Sequence, residues 1–201
     1  VSITDDKGQT FLFRDTEGSG LYTWTARHTA DSLGRIGGRY TLRIRYEGEE
    51  YTAQAQIRRV PPIDSLIYTE ERLPFTPPDE SPREGYVAEF FARDFVGVGD
   101  CYWIRPLRGG RLFRDTPNNL SLAFDAAFSP GSVSDGIIFI RPLRQSINGG
   151  RLLVAGDTIG VELHSISPET YFFLQQVRQE SANGGIFSVP PANIPTKINN
   201  Q

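Results

Sequence analysis

The sequence is short of the residues on which several classes of protein depend. Among 201 residues it has one cysteine, Cys101, two histidines and no methionine. A single cysteine closes no internal disulfide and supplies no thiolate cluster for a metal. No run of about 18 apolar residues is present, so no membrane-spanning helix is predicted.

An excess of one charge sign is also lacking. The 21 basic and 24 acidic residues give a formal net charge of -3 and are spread along the chain. No basic field is therefore available to neutralise a phosphate backbone. We do not expect a nucleic acid partner.

The first residues, 1–6, lack the basic and apolar regions of a signal peptide. The sequence opens directly on a strand-like segment. We therefore expect it to belong to a longer precursor, with the first domain truncated at its amino end.

Alternation of apolar and polar residues is the clearest structural signal. It runs through residues 39–46 and again through 51–58, after the turn at 47–50. A period of two is typical of half-buried strands, and two such runs around a short turn predict an antiparallel hairpin. Short strands are also predicted at residues 10–13 and 21–25. Residues 1–60 are interpreted as an antiparallel β-sandwich.

Proline marks the predicted domain boundary. Six prolines fall within residues 61–85, and proline removes backbone donors and favours extended structure. This segment is predicted to be a semi-rigid linker. Residues 86–201 are predicted to form a second β-rich domain. Its strands are expected at 86–94, 101–107, 121–124, 137–142, 151–154 and 158–165.

One helix is predicted, over residues 168–181. Ser167 suits the N-cap, Pro168 the first helical position and Glu169 the positive end of the helix dipole. The helix is expected to pack on the second sheet. The proline-rich segment 190–195 is interpreted as an extended tail.

No catalytic residue and no cofactor are predicted. The two imidazoles, His28 and His164, are interpreted as surface residues, and no serine stands in a Gly-x-Ser-x-Gly elbow. The many carboxylates contain nothing that selects a glycosidase pair, although a hydrolase with dispersed carboxylates remains an open alternative. No metal site is predicted, but calcium in the turns stays open for Asp5, Asp6, Asp94, Asp100 and Asp125.

Two tryptophans and two arginines are the weak candidates for ligand binding. Trp24 and Trp103 could stack on sugar rings, but aromatic residues also fill sandwich cores. Arg105 and Arg141 lie in an internal echo, in which 104–108 and 140–144 both read Ile-Arg-Pro-Leu-Arg. One interpretation is a pair of edge strands that forms a cationic surface, and the other is chance similarity. The surface would comprise Arg105, Arg108, Arg111, Arg141, Arg144 and Arg151.

Several segments together resemble a known family. They are the hairpin, Val60 to Asp64, the turn from Asp94 to Tyr102, Gly156 to Thr158, Ile166 to Tyr171, and Asn183 to Ile194. On these motifs the chain is similar to domain of unknown function 4249, a Bacteroidetes family of outer-membrane lipoproteins. The resemblance implies an immunoglobulin-like or transthyretin-like first domain and a second β-rich domain. It also implies a lipid anchor on the precursor and genes that accompany TonB-dependent receptors.

Two departures from that family pattern bear on the expectation. No lipid-attachment cysteine is present, because Cys101 lies deep in the second domain, and the tail ends before a further glycine-rich strand. We expect a lipid-anchored outer-membrane accessory protein that partners a TonB-dependent receptor through loops at one end of its β-domains. The alternative is a stand-alone module that binds a glycan or a peptide. The face of the membrane and the ligand stay open.

Overall fold

A computed structural model describes residues 1–28, 31–77, 82–113, 116–131, 133–183, 193–196 and 198–200. Of these described residues, 39% are in strands and 14% are helical, and the sheets are antiparallel, which confirms the predicted mainly β class with a carboxyl-terminal helix. The strands are β1 (Ser2–Asp5), β2 (Thr10–Leu12), β3 (Arg39–Tyr46), β4 (Glu49–Gln56), β5 (Ile63–Arg72), β6 (Glu84–Ala92), β7 (Cys101–Arg108), β8 (Arg111–Leu112), β9 (Ser121–Phe124), β10 (Ile159–Ile166) and β11 (Asn199–Asn200). The α-helices are α1 (Arg141–Arg144) and α2 (Pro168–Ala182).

The chain divides into two compact units. The first comprises Val1–Arg59 with Pro195–Gln201, and the second comprises Val60–Ile194. The prediction that residues 86–201 form one domain is therefore wrong at its end. The reason is that β11 pairs antiparallel with β4 and so returns to the first unit.

The first unit is built on one five-stranded sheet in the order β11-β4-β3-β1-β2. The predicted hairpin is confirmed as β3 and β4, joined at Glu47 and Gly48. Both turn residues have positive φ, 50° and 87°, a backbone that follows the twist of the flanking strands. Tyr40 at the start of β3 is buried, whereas Tyr46 on the same apolar face is 63% exposed, so this face packs at one end of the hairpin only.

Residues 21–25 do not form the predicted strand. They contribute a single bridge, between Thr23 and Arg14, and Leu21 is 69% exposed. The Asp15 carboxylate instead accepts hydrogen bonds from the backbone amides of Glu17, Ser19 and Gly20. The Asp15 side chain therefore fixes the loop that precedes residues 21–25.

The second unit has two antiparallel sheets. In one, β7 pairs with β10 on one edge and with β8 and β9 on the other, and in the other β5 pairs with β6. Its main core is apolar and includes Phe90, Tyr102 and Phe139, which are almost fully buried. The Phe139 ring lies 5.9 Å from the Phe90 ring and 5.2 Å from the Tyr102 ring, between centroids.

The predicted linker at 61–85 is wrong, because its centre is a strand. β5 occupies residues 63–72 and pairs with β6 from Arg72↔Glu84 to Ile63↔Ala92. The prolines stand on either side of this strand, so no proline interrupts its ladder. Averaging composition over the whole segment concealed a ten-residue run without proline.

Two further strand predictions in the second unit are also wrong. Residues 141–144 form helix α1, with Pro142 in its first turn, where no amide donor is needed. Ile138 and Leu153 make isolated bridges only, to Arg93 and Tyr86. The echo of residues 104–108 at 140–144 is therefore a strand in one copy and a helical turn in the other.

Helix α2 follows the prediction closely. It spans Pro168–Ala182, and the Thr170 amide donates to the Ser167 hydroxyl at 3.1 Å, which confirms the N-cap. Tyr171 is buried in a second core cluster with Phe124, and its hydroxyl donates to the Phe128 carbonyl. Residues 190–192 of the predicted tail lie outside the described residues, whereas 193–196 have no regular structure.

Candidate functional site

Trp103 and Arg105 are the two of the four candidate ligand-binding residues that the structure brings into contact with each other. They lie on one face of β7, with the Arg105 guanidinium 4.9 Å from the centre of the Trp103 ring. The β10 residues opposite them are His164 and Glu162, and Arg105 pairs with Glu162 at 3.3 Å. Trp103 is half-buried and packs on the second core cluster, so most of this face is engaged within the unit.

Trp24 belongs to the first unit and has a packing role. Its ring meets the buried Phe11 edge to face, with 5.0 Å between centroids, and lies 6.5 Å from the Phe13 ring. Trp24 is half-buried. It therefore presents little free aromatic surface for a sugar.

Arg141 belongs to an ion-pair network around Glu89 on β6. The Glu89 carboxylate accepts from Arg141 Nε at 2.9 Å, Arg144 Nε at 3.1 Å and Gln145 Nε2 at 2.9 Å. Burial disfavours ionisation, but hydrogen bonds from both arginines outweigh it and hold the pKa of Glu89 below its usual range. Arg141 and Arg144, the two arginines in the second copy of the echo, are thus paired with a carboxylate within the second unit.

The histidines have carboxylate neighbours on the surface. His28 Nδ1 lies 3.3 Å from Asp31, and His164 Nε2 lies 3.2 Å from Glu162. Both side chains are well exposed. Cys101, at the start of β7, is fully buried.

The aspartates considered as calcium ligands instead bind backbone amides and side chains of the protein. Asp125 accepts from the amides of Gly99 (2.8 Å) and Asp100 (3.1 Å). Asp5 accepts from two amides of its own turn, and Asp6 pairs with Arg35. Across the part of the chain that the structure describes, no group of three or more histidine, cysteine or acidic side chains has an arrangement able to hold a metal.

Asp94 is the most unusual of these carboxyl groups. It is 3% exposed and accepts a hydrogen bond from the Tyr102 hydroxyl at 2.6 Å. Burial raises its pKa, the charges of Asp125 and Asp100 act in the same direction, and hydrogen bonds from Tyr102 and Gly136 only partly oppose them. Burial likewise raises the pKa of the Tyr102 phenol. The pair ties β7 to the start of the loop after β6.

The raised pKa of Asp94 predicts a pH dependence. Because the folded protein holds this proton more tightly than the unfolded chain, stability is lost as pH rises from the unfolded pKa through the folded pKa. The free energy of unfolding of the wild type should therefore fall over this window relative to Asp94→Asn, which carries no titrating group there. Urea denaturation at a series of pH values measures the difference. If the free energy of unfolding changed with pH in the same way in the wild type and in Asp94→Asn, the raised pKa of Asp94 would be contradicted.

Two neighbouring loops expose three valines, and we call them the valine loops. They comprise residues 95–99 and 131–136, without residue 132. Val96, Val98 and Val133 are 84%, 80% and 103% exposed. The Gly97 amide donates to the Asp135 carboxylate at 2.8 Å, which joins the two loops. A β-carbon at Gly136 would come within 3.0 Å of Val96 Cγ2, so the loops also approach closely there. Sequence reasoning missed this surface, because exposure at a loop apex has no periodic signal.

The outer edge of β5 and an adjoining cleft form a second exposed surface. Every residue of β5 is exposed, including Leu66 (41%), Ile67 (43%) and Tyr68 (72%). The cleft encloses about 480 Å³ and opens widely to solvent. It is lined by Glu70, Glu71, Arg72, Glu84, Gly85, Tyr86, Val154 and Ala155. Residues 63–72 contain no proline and hold β-favouring residues at 66–69, but they were assigned to the predicted linker.

The fold and these surfaces define the class of protein: a mainly β protein of two antiparallel units that exposes apolar loops and an edge strand. The chain belongs to the family described as domain of unknown function DUF4249, whose family model matches residues 1–201. No curated protein and no solved structure matches the chain. Among the described residues, no helix is both long enough and apolar enough to cross a membrane.

Proposed function

We propose that this protein is a lipid-anchored accessory protein of the outer membrane, which docks on a partner through the valine loops. The partner that the family resemblance implies is a TonB-dependent receptor, with the complex serving nutrient uptake. The anchor belongs to the precursor. The observation that carries the docking role is the set of three exposed valines on two joined loops.

Exposed valines on a backbone that hydrogen bonds keep in place are well suited to form an interface. Burying apolar surface is the main favourable contribution to association, and a preorganised loop loses little conformational entropy on binding. Here the loops are held by carboxylates: Asp135 binds the Gly97 amide, and Asp125 binds the amides of Gly99 and Asp100. Binding would therefore order few additional groups.

The alternative is a stand-alone module for a glycan or a peptide. A glycan site needs an exposed aromatic face, whereas Trp24 packs on Phe11 and Trp103 packs on the second core cluster beneath Arg105. The glycan version therefore has little support from these two residues. The peptide version is favoured by the edge of β5 that no strand of the described residues pairs with, and by the adjoining cleft.

The test uses the full-length lipoprotein in its native membrane, as wild type and as Val96→Ser/Val98→Ser. After mild solubilisation and affinity capture, the recovered TonB-dependent receptor is quantified by mass spectrometry. We expect the double variant to recover about tenfold less receptor, since losing about 1.4 kcal/mol of interface energy weakens binding tenfold.

The matched control is Leu21→Ser/Ile36→Ser, which removes two side chains, each 69% exposed, from the first unit. It should recover as much receptor as the wild type. Failure of the wild type to recover a receptor would overturn the proposed partner. Equal recovery by Val96→Ser/Val98→Ser would overturn the role of the valine loops.

A further inference from the structure

β5 is a strand at the edge of its sheet. One of its edges pairs with β6, and no other strand of the described residues pairs with β5. In a strand, alternate residues direct their N–H and C=O groups to opposite edges. The outer edge of β5 therefore presents a row of donors and acceptors that match another strand.

Several protections of an edge strand are missing from the middle of β5. Natural edges are commonly blocked by proline, by charged side chains, above all lysine, or by a bulge within the strand. β5 contains neither proline nor lysine, its charged residues stand near its ends, at Asp64 and at 70–72, and its single register shift lies at the start, between Ile63 and Ser65. Residues 65–69 thus remain a regular, uncharged template.

The side chains of β5 favour an apolar segment opposite its middle. Leu66 and Tyr68 lie on one face and Ile67 on the other, all substantially exposed. The Tyr68 ring rests edge to face on Tyr86, with 5.4 Å between centroids. This contact holds an exposed aromatic surface in place before any partner arrives.

The charges at the end of β5 favour basic residues. Arg72 pairs with Glu84 at 3.1 Å, whereas no cation of the described residues lies within ion-pair distance of Glu70 or Glu71. The cleft beside them is lined by three carboxylates and one guanidinium. A strand added here would gain from lysine or arginine opposite Glu70 and Glu71.

We propose that β5 accepts an extended segment of a partner protein as an additional antiparallel strand, with apolar residues opposite positions 66–68 and basic residues opposite 70 and 71. Recognition of this kind draws affinity from backbone hydrogen bonds and specificity from side chains. This surface is distinct from the valine loops. A second copy of the chain fits less well, because the only cation of β5 is Arg72, which already has a carboxylate partner.

The probe is a fluorescein-labelled peptide, Thr-Lys-Arg-Thr-Val-Ile-Tyr-Thr, whose second and third residues would lie opposite Glu71 and Glu70. Fluorescence anisotropy with the full-length protein should show saturable binding. Glu70→Lys/Glu71→Lys should weaken it about tenfold, because two attractive pairs become repulsive. A second peptide with glutamates in place of its Lys-Arg should bind this variant better than it binds the wild type.

The decisive result is that the wild type prefers the Lys-Arg peptide and the variant prefers the glutamate peptide. A misfolded variant would instead bind neither peptide. Glu17→Lys/Glu49→Lys, in the first unit, makes the same charge change and should bind like the wild type. If the wild type does not bind the peptide, the proposal is overturned. This holds also where the reason is that another part of the chain covers β5. Self-association through β5, seen as a dimer in sedimentation velocity that competes with the peptide, would overturn it too.

The strand-accepting role of β5 and the docking of a receptor on the valine loops can be tested independently of each other. The same Glu70→Lys/Glu71→Lys protein can be used in the receptor capture described above. Unchanged receptor recovery together with lost peptide binding supports a separate strand-accepting surface. Lost recovery together with lost peptide binding also supports it, and identifies the receptor as the source of the strand.

Discussion

Replacing Glu89 with alanine is expected to lower the free energy of unfolding of the second unit by about 3 kcal/mol. The side chain is 7% exposed and neutralises Arg144, which is 19% exposed, as well as Arg141. Its loss leaves Arg144 partly buried over the Phe91 ring with its carboxylate partner removed. Arg141 is 65% exposed and can turn to water, which places the cost at the lower end of the range for broken buried pairs.

Urea unfolding of a Trp24→Phe background measures this loss, because Trp103 is then the sole tryptophan and its fluorescence reports on the second unit. Glu84→Ala is the matched control on the same strand. Its ion pair with Arg72 is exposed on both sides, so its removal should cost less than about 1 kcal/mol. Equal losses in the two variants would show that the Glu89 network adds no more stability than a surface pair.

Phe139→Ala should destabilise the second unit further, by about 4 kcal/mol. Phe139 has no exposed surface and fills the space between Phe90 and Tyr102, so truncation leaves a cavity as well as removing apolar contact. The same fluorescence-detected unfolding measures it. Phe139→Leu keeps more of the volume and should cost clearly less.

Phe75→Ala serves as the control for the Phe139 variants. Phe75 belongs to the same unit but is 69% exposed, so its truncation should change stability by less than about 0.5 kcal/mol. A loss at Phe139 no larger than that at Phe75 would mean that the aromatic cluster does not form the core.

Local signals were enough to predict the hairpin and helix α2. The alternation through residues 39–46 and the capping sequence at Ser167 each act within a few residues, and the structure uses both. β5 was missed because flanking prolines dominated its composition. Pro142 was assigned to a sheet edge, although proline fits the first turn of a helix equally well.

The candidate surfaces were predictable to a smaller extent. Trp103 and Arg105 were singled out and do lie together, but no local pattern indicates that Glu162 neutralises Arg105, because the two residues meet only through the pairing of β7 with β10. Glu89 is separated from Arg141 and Arg144 by more than fifty residues, so their network depends on the tertiary fold. The exposure of Val98 likewise depends on how two distant loops meet.

The pairing of β11 with β4 has a consequence for the order in which the molecule is made. Residues 60–194, the whole second unit, leave the ribosome after β4 and before β11. Throughout that interval the outer edge of β4 lacks the strand that covers part of it in the finished protein. The nascent first unit is therefore most open to mispairing while the second unit is being synthesised, and the synthesis of β11 ends that exposure.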